Sequence, residues 1–161
     1  MPPPAVQGIV RLLRFAASLA FLVLMTSVGV QIVGRLIGDS PIWTEELARF
    51  ALLFLAAFGV GPSWRSGDLV NVDLVVAALP APWPRLLQRL VALAGFGLAA
   101  VLIAPAWQFT AIGAFQTSPA LEWRMDFIHG SVLVLLGALA LFALINLVWP
   151  PPLTRDGEPT P

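Results

Sequence analysis

Four long apolar stretches dominate the sequence, and short polar segments separate them. They cover residues 15–33, 47–64, 90–112 and 127–149, and the only Asp, Glu, Lys or Arg inside them is Arg49. A helix needs about 20 apolar residues to cross the hydrocarbon core of a bilayer. The pattern therefore predicts four transmembrane helices, the third of which is kinked near its end by Pro105.

The composition agrees with an integral membrane protein. Of the 161 residues, 58% are hydrophobic and 11% are charged, whereas soluble domains carry about 25% charged residues. The mean hydropathy is +0.87. Buried helices of a soluble protein are excluded, because too few polar residues remain to cover such a core. The net charge of +0 argues against nucleic-acid binding, and the absence of cysteine excludes disulfides and thiolate metal sites.

Tryptophans and prolines mark where the predicted spans end. Six tryptophans lie at or just beyond an end of the second, third or fourth span, as indole rings in the headgroup layer do. They are Trp43, Trp64, Trp83, Trp107, Trp123 and Trp149. Residues 69–79 are expected to form a short interfacial helix that ends at a run of prolines. The proline-rich tails, 1–10 and 150–161, are expected to be disordered, so 11–149 form a single membrane domain.

The distribution of arginine predicts the orientation. Four spans place both termini on one side of the membrane. If that side is cytoplasmic, the inside segments carry six arginines and the outside segments three, which the positive-inside rule favours. The first span is an uncleaved helix in this interpretation, because its apolar stretch exceeds the length of about 7–15 residues found in signal peptides.

The membrane interior offers no catalytic or ion-conducting chemistry. Proton relays and ion pathways are normally built from buried ionisable residues, and no carboxylate or arginine is predicted at mid-depth, which counts against a stand-alone pump. His129 is the only histidine, so it cannot form a two-histidine haem site, and we interpret it as an interfacial residue at a helix start. The sequence predicts no enzyme activity, no cofactor and no metal.

Three charged residues lie at the start of the second span. The two carboxylates of Glu45 and Glu46 follow Pro41 and Thr44, either of which suits a helix start, where the helix dipole favours negative charge. Arg49 lies four residues after Glu45 and three after Glu46, so either carboxylate can pair with it. Loss of Arg49 is therefore expected to matter more than loss of either glutamate. The cluster either fixes the depth of the span or binds a partner subunit.

Small residues predict where helices approach one another closely. The glycines expected at such positions are Gly59, Gly61, Gly95 and Gly97. Ala57 with Gly61, and Gly95 with Ala99, have the spacing of two small residues four positions apart that allows close helix contact in membranes.

A series of motifs runs along the whole chain. They are WTEELARF at 43–50, Gly59 in the second span, WRSG at 64–67, VNVD at 70–73 and QTSPAL at 116–121. In this order they resemble the small membrane subunit of tripartite ATP-independent periplasmic (TRAP) transporters, the DctQ-type family. Asp68 departs from the family, which often has histidine there, and His129-Gly130 replaces a more usual proline-containing helix start. The candidate structural or subunit-interface residues are Trp43, Glu45, Glu46, Arg49, Gly59, Arg65 and Gly67.

The resemblance implies an all-α subunit of the bacterial inner membrane. In this family a soluble periplasmic receptor captures an organic acid, and a large membrane subunit carries it inward, usually with a sodium gradient. The small subunit enlarges the scaffold and helps present a docking surface. Two alternatives are a membrane anchor for a redox complex, which haem absorbance would reveal, and a small stand-alone exporter, which transport by the isolated chain would reveal.

The predicted orientation can be checked with reporter fusions. Because of the arginine asymmetry, a reporter fused after Pro161 should give a cytoplasmic signal. A reporter fused at Gly113, with the downstream chain removed, should give a periplasmic signal. The opposite signal from either fusion would contradict cytoplasmic termini.

Overall fold

A computed structural model describes residues 4–39, 41–66 and 83–150, and these residues fold almost entirely into four α-helices. The helices are α1 (Pro4–Ile37), α2 (Ile42–Ser66), α3 (Trp83–Gly113) and α4 (Met125–Val148). All four are long and apolar enough to span a membrane, which confirms the four-helix prediction. The expected interfacial helix at 69–79 and the tail beyond residue 150 lie outside the described residues.

The first helix begins earlier than the sequence predicted. A disordered tail was expected through residue 10, but α1 starts at Pro4. Proline is tolerated in a first helical turn because the N–H that it lacks would have no partner there. Val6 is only 7% exposed and packs against Phe142 and Ile145 of α4, and Val10 lies beside this cluster. Burial of this apolar face stabilises the first turns of the helix.

The helices form two hairpins whose main contact is between their second members. Residues 38–41 connect α1 to α2, and residues 114–124 connect α3 to α4. Among the described helices, α1 packs on α2, α3 packs on α4, and the contact of α2 with α4 joins the two hairpins. The two connections lie at one end of the bundle, which we call the loop end.

Buried positions recur every seven residues on the two outer helices. In α3 they are Ala92, Ala99, Ala106 and Gly113. In α1 they are Val6, Ala20, Ser27 and Gly34, with the half-buried Leu13 completing the series. A seven-residue repeat keeps one narrow stripe facing the neighbouring helix and is typical of left-handed packing. Small side chains on the stripe let the helices approach closely, which favours association in lipid.

The predicted close-packing glycines divide into two groups. A Cβ atom at Gly61 would lie 2.5 Å from Phe142 of α4, and one at Gly95 would clash with the ring of Trp64, so the prediction is confirmed at both. For packing within this chain it is wrong at Gly59 and Gly97, where a Cβ atom would meet nothing within 4 Å. Residues two positions apart on an α-helix point in nearly opposite directions. Gly59 and Gly61 therefore cannot both face the same neighbouring helix, and neither can Gly95 and Gly97.

Replacing Gly61 with alanine should therefore destabilise the bundle, because Phe142 is 0% exposed and has no space to move into. We expect a loss of about 1–3 kcal/mol, the usual effect of an overpacked core. The measurement is the thermal unfolding midpoint in detergent. Gly59→Ala is the matched control on the same helix, and it should leave the midpoint unchanged or raise it slightly. Equal loss in both variants would contradict the packing described.

Candidate functional site at the loop end of the bundle

A buried threonine lies in the first turn of the second helix. α2 begins at Ile42, directly after Pro41, as the sequence predicted for a proline at a helix start. Thr44 is 0% exposed, and its hydroxyl donates a hydrogen bond to the carbonyl of Pro41 at 2.6 Å. The threonine therefore ties the connection from α1 onto the first turn of α2, and this turn positions the two glutamates that follow.

The carboxylate of Glu46 binds the connection between α3 and α4. Glu46 is only 8% exposed. Its Oε2 atom accepts hydrogen bonds from the backbone N–H groups of Ala120 at 3.0 Å and Leu121 at 2.8 Å. These bonds link residues 74 and 75 positions apart in the chain. They hold the first hairpin to the second at the loop end.

The connection is folded so that these two N–H groups are left for the carboxylate. The carbonyl of Ser118 accepts a hydrogen bond from Glu122 N–H at 3.1 Å, and the N–H of Ser118 donates to the carbonyl of Trp123 at 2.8 Å. The hydroxyl of Ser118 also accepts from Trp123 N–H at 3.2 Å. Pro119 has no N–H. The N–H groups of Ala120 and Leu121 are therefore the two donors in the turn from which the Glu46 carboxylate accepts hydrogen bonds.

The turn is closed by a strained residue and by a ring contact. Glu122 adopts a φ of 55°, a left-handed conformation that is uncommon for residues other than glycine. The indole of Trp123 stacks on the ring of Phe50 in α2, with centroids 6.4 Å apart and an interplanar angle of 23°. Both features bring the backbone of the turn against the first turns of α2, where Glu46 lies.

Hydrogen bonds to a buried carboxylate are among the stronger ones in proteins. A hydrogen bond to a charged group contributes about 1.5–3 kcal/mol, compared with about 1 kcal/mol for a neutral pair. Removing the acceptor would also leave two part-buried N–H groups without a partner. The Glu46 contact is therefore a strong polar interaction between the two hairpins.

Glu45 and Arg49 form a separate ion pair on the surface. The Oε1 atom of Glu45 lies 3.4 Å from Nη2 of Arg49, and both side chains are more than half exposed. Exposed pairs of this kind contribute about 0–1 kcal/mol. Adjacent helical residues point about 100° apart, so Glu46 faces the turn before α4 while Glu45 faces outward. In this structure Arg49 pairs with Glu45 and Glu46 binds the turn, so we expect the loss of Glu46, rather than of Arg49, to matter most.

The remaining candidates do not join this cluster. Trp43 is 43% exposed at the start of α2, and Gly59 lies well along the same helix, facing open space. Arg65 belongs to the last turn of α2, and only its backbone is described. Gly67 lies outside the described residues. The sequence missed the partners of Glu46, although a Ser-Pro turn, which leaves the following N–H groups unpaired, is a usable signal.

A second junction at the loop end involves the single histidine. Nδ1 of His129 lies 3.2 Å from the carbonyl oxygen of Phe109 in α3, which fits donation of a hydrogen bond by the ring N–H. The two rings stack with centroids 3.8 Å apart. The imidazole thus joins α4 to α3. Among the described residues, no group of three or more His, Cys, Asp or Glu side chains could hold a metal ion.

Comparison with known families decides what kind of protein carries this site. A family model described as "Tripartite ATP-independent periplasmic transporters, DctQ component" matches residues 24–149. The chain belongs to the DctQ family. No curated protein sequence matches the chain. The DctQ family is a family of transporter components rather than of enzymes, and the matched segment includes both Glu46 and the turn that it binds. The four span-forming helices agree with a multi-pass membrane protein of this family.

The role of Glu46 can be tested by hydrogen exchange. Glu46→Gln removes the charge, so the amides of Ala120 and Leu121 should exchange about 2–30-fold faster, given the difference of about 0.5–2 kcal/mol between hydrogen bonds to charged and to neutral groups. Glu45→Gln is the matched control, because it makes the same chemical change one residue earlier, and it should leave both amides unaffected. Equal exchange rates in the two variants would show that the carboxylate does not hold the turn.

Proposed function

We propose that this chain is the small permease subunit of a TRAP transporter and acts as a scaffold for the large membrane subunit. Membership of the DctQ family carries the proposal. In this assignment a periplasmic receptor delivers an organic acid, and the large subunit moves it across the bacterial inner membrane using an ion gradient, usually of sodium. The small subunit itself neither binds nor moves the substrate.

The distribution of charge in the described helices supports a scaffold rather than a transport path. The central turns of α1, α2, α3 and α4 contain no Asp, Glu, Lys, Arg or His. An ion gradient can do work on a protein only through groups that bind or repel the ion within the membrane. In the proposed complex, such groups belong to the large subunit.

The outer helices supply the surface that a scaffold needs. α1 and α3 flank the central pair, and each buries only a narrow stripe inside the chain. Their other faces expose large apolar side chains, such as Phe21 on α1 and Val101 on α3, at 50% and 73% exposure. These faces contact either lipid or a membrane partner, and a large multi-helix subunit fits such a surface without any charged contact.

The fixed conformation of the connection 114–124 supports a role for the loop end in docking. A connection of eleven residues at a membrane surface is normally mobile. Here hydrogen bonds to Glu46 and the stacking of Trp123 on Phe50 hold it in one conformation. A fixed turn loses little conformational entropy when another protein docks on it. We assign this end to the periplasmic side, where the receptor and the outer surface of the large subunit are accessible.

The test is reconstitution into liposomes with an imposed sodium gradient. Labelled organic acid is offered with receptor to vesicles that contain this chain, the large subunit, or both. We expect uptake only when both membrane subunits and the receptor are present. The absorbance spectrum of the purified chain tests the alternative of a redox anchor. We expect no haem band in it.

Two results would contradict the scaffold assignment. One is uptake by vesicles that contain this chain without the large subunit. The other is full uptake by the large subunit and receptor when this chain is left out. Glu46→Gln in the complete system should lower uptake or the yield of the complex, whereas Glu45→Gln should match the native chain.

A further inference from the structure

The end of the bundle opposite the loop end carries only positive charge among the side chains that the structure describes. Arg11 and Arg14 lie in the first turns of α1, and Arg85 and Arg89 lie in the first turns of α3. All four side chains are exposed, and no ion pair or hydrogen bond of theirs is found among the described residues. The described part of the loop end, by contrast, contains five carboxylates and three arginines.

Each arginine pair has a spacing that suits a single phosphate group. Arg11 and Arg14 are three residues apart, and Arg85 and Arg89 are four residues apart, so the members of each pair are neighbours on one helix surface, with Cβ atoms about 5–6 Å apart. A guanidinium group donates paired hydrogen bonds to phosphate oxygens. Two neighbouring guanidinium groups can therefore bind one phosphate from two directions.

A strip of exposed apolar side chains runs beside each pair toward the centre of the helix, about a quarter turn around the helix from the arginines. On α1 the strip begins with Leu12, Phe15 and Leu19, which are 67%, 69% and 53% exposed. On α3 it begins with Leu86, Leu90 and Leu93, which are 48%, 53% and 51% exposed. In both helices these residues lie at spacings of three or four, so they form one face. A ligand on this surface therefore meets positive charge at one end and hydrocarbon along its length.

We propose that the two arginine pairs are binding sites for anionic phospholipids. The headgroup phosphate lies between the two guanidinium groups of a pair, and the acyl chains lie along the apolar strip. A soluble phosphate compound would use the arginines but not the strip. A zwitterionic lipid would bring a positive group to an end of the bundle where no described side chain carries a negative charge. An anionic lipid matches both the arginine pair and the apolar strip. Each outer helix then carries one specific lipid-binding site.

The test uses the purified full-length chain in a neutral detergent and native mass spectrometry. Phosphatidylglycerol and phosphatidylcholine are added in equal amounts, and glycerol phosphate is added separately as the soluble headgroup. The variants are R11Q/R14Q, R85Q/R89Q and the combination of all four. The matched control for each double variant is R35Q/R49Q, which also removes two arginines, but at the loop end. Thermal midpoints of all variants establish that each one is folded.

The native chain should bind phosphatidylglycerol in preference to phosphatidylcholine, and glycerol phosphate should not compete. Each double variant should weaken binding at one site by roughly 30-fold, as expected for two arginines near an anionic headgroup. The fourfold variant should lose the preference, and R35Q/R49Q should keep it. Equal binding of the two lipids by the native chain, an unchanged preference in the fourfold variant, or competition by glycerol phosphate would each overturn the proposal.

Discussion

The contact between α2 and α4 is the interaction on which the rest of the bundle depends, because it joins two helical hairpins. Close to the loop end the joint is polar, and Glu46 accepts two backbone hydrogen bonds from the turn before α4. Farther along α2 the joint is steric, with Gly61 lying directly against the ring of Phe142. Shape complementarity and one charged acceptor together replace the hydrophobic driving force that is missing between helices in lipid.

Much of the fold could be predicted from hydropathy, because lipid requires long helices whose backbone groups are satisfied internally. The sequence did not predict that α1 starts at Pro4, since the support for its first turns comes from Phe142 and Ile145, far away in the chain. The prediction that Gly59 packs closely against a neighbouring helix of this chain was also wrong. Small residues lie on every face of these helices, so composition alone cannot distinguish a glycine that touches a neighbour from one that faces outward.

The candidate site was predicted in position but not in its connections. Helical spacing correctly identified Glu45 as a possible partner of Arg49, because both residues lie on one helix. The partners of Glu46 depend on which helix packs beside α2 and on how the turn around Ser118 folds. Neither is a local property of the sequence. A carboxylate at the end of an apolar helix nevertheless indicates that donors are to be sought at the same depth, since an unpaired charge there is costly.

The distance in sequence between Glu46 and its partners has a consequence for biosynthesis. The ribosome adds about 5–20 residues each second, so the 74 residues that separate Glu46 from Ala120 take about 4–15 seconds to make. During that interval the carboxylate must remain hydrated at the membrane surface while the first hairpin is already inserted. It leaves water only when the second hairpin arrives. A chain that ends before residue 120 lacks both donors, so its Glu46 carboxylate has only water to accept hydrogen bonds from on that side.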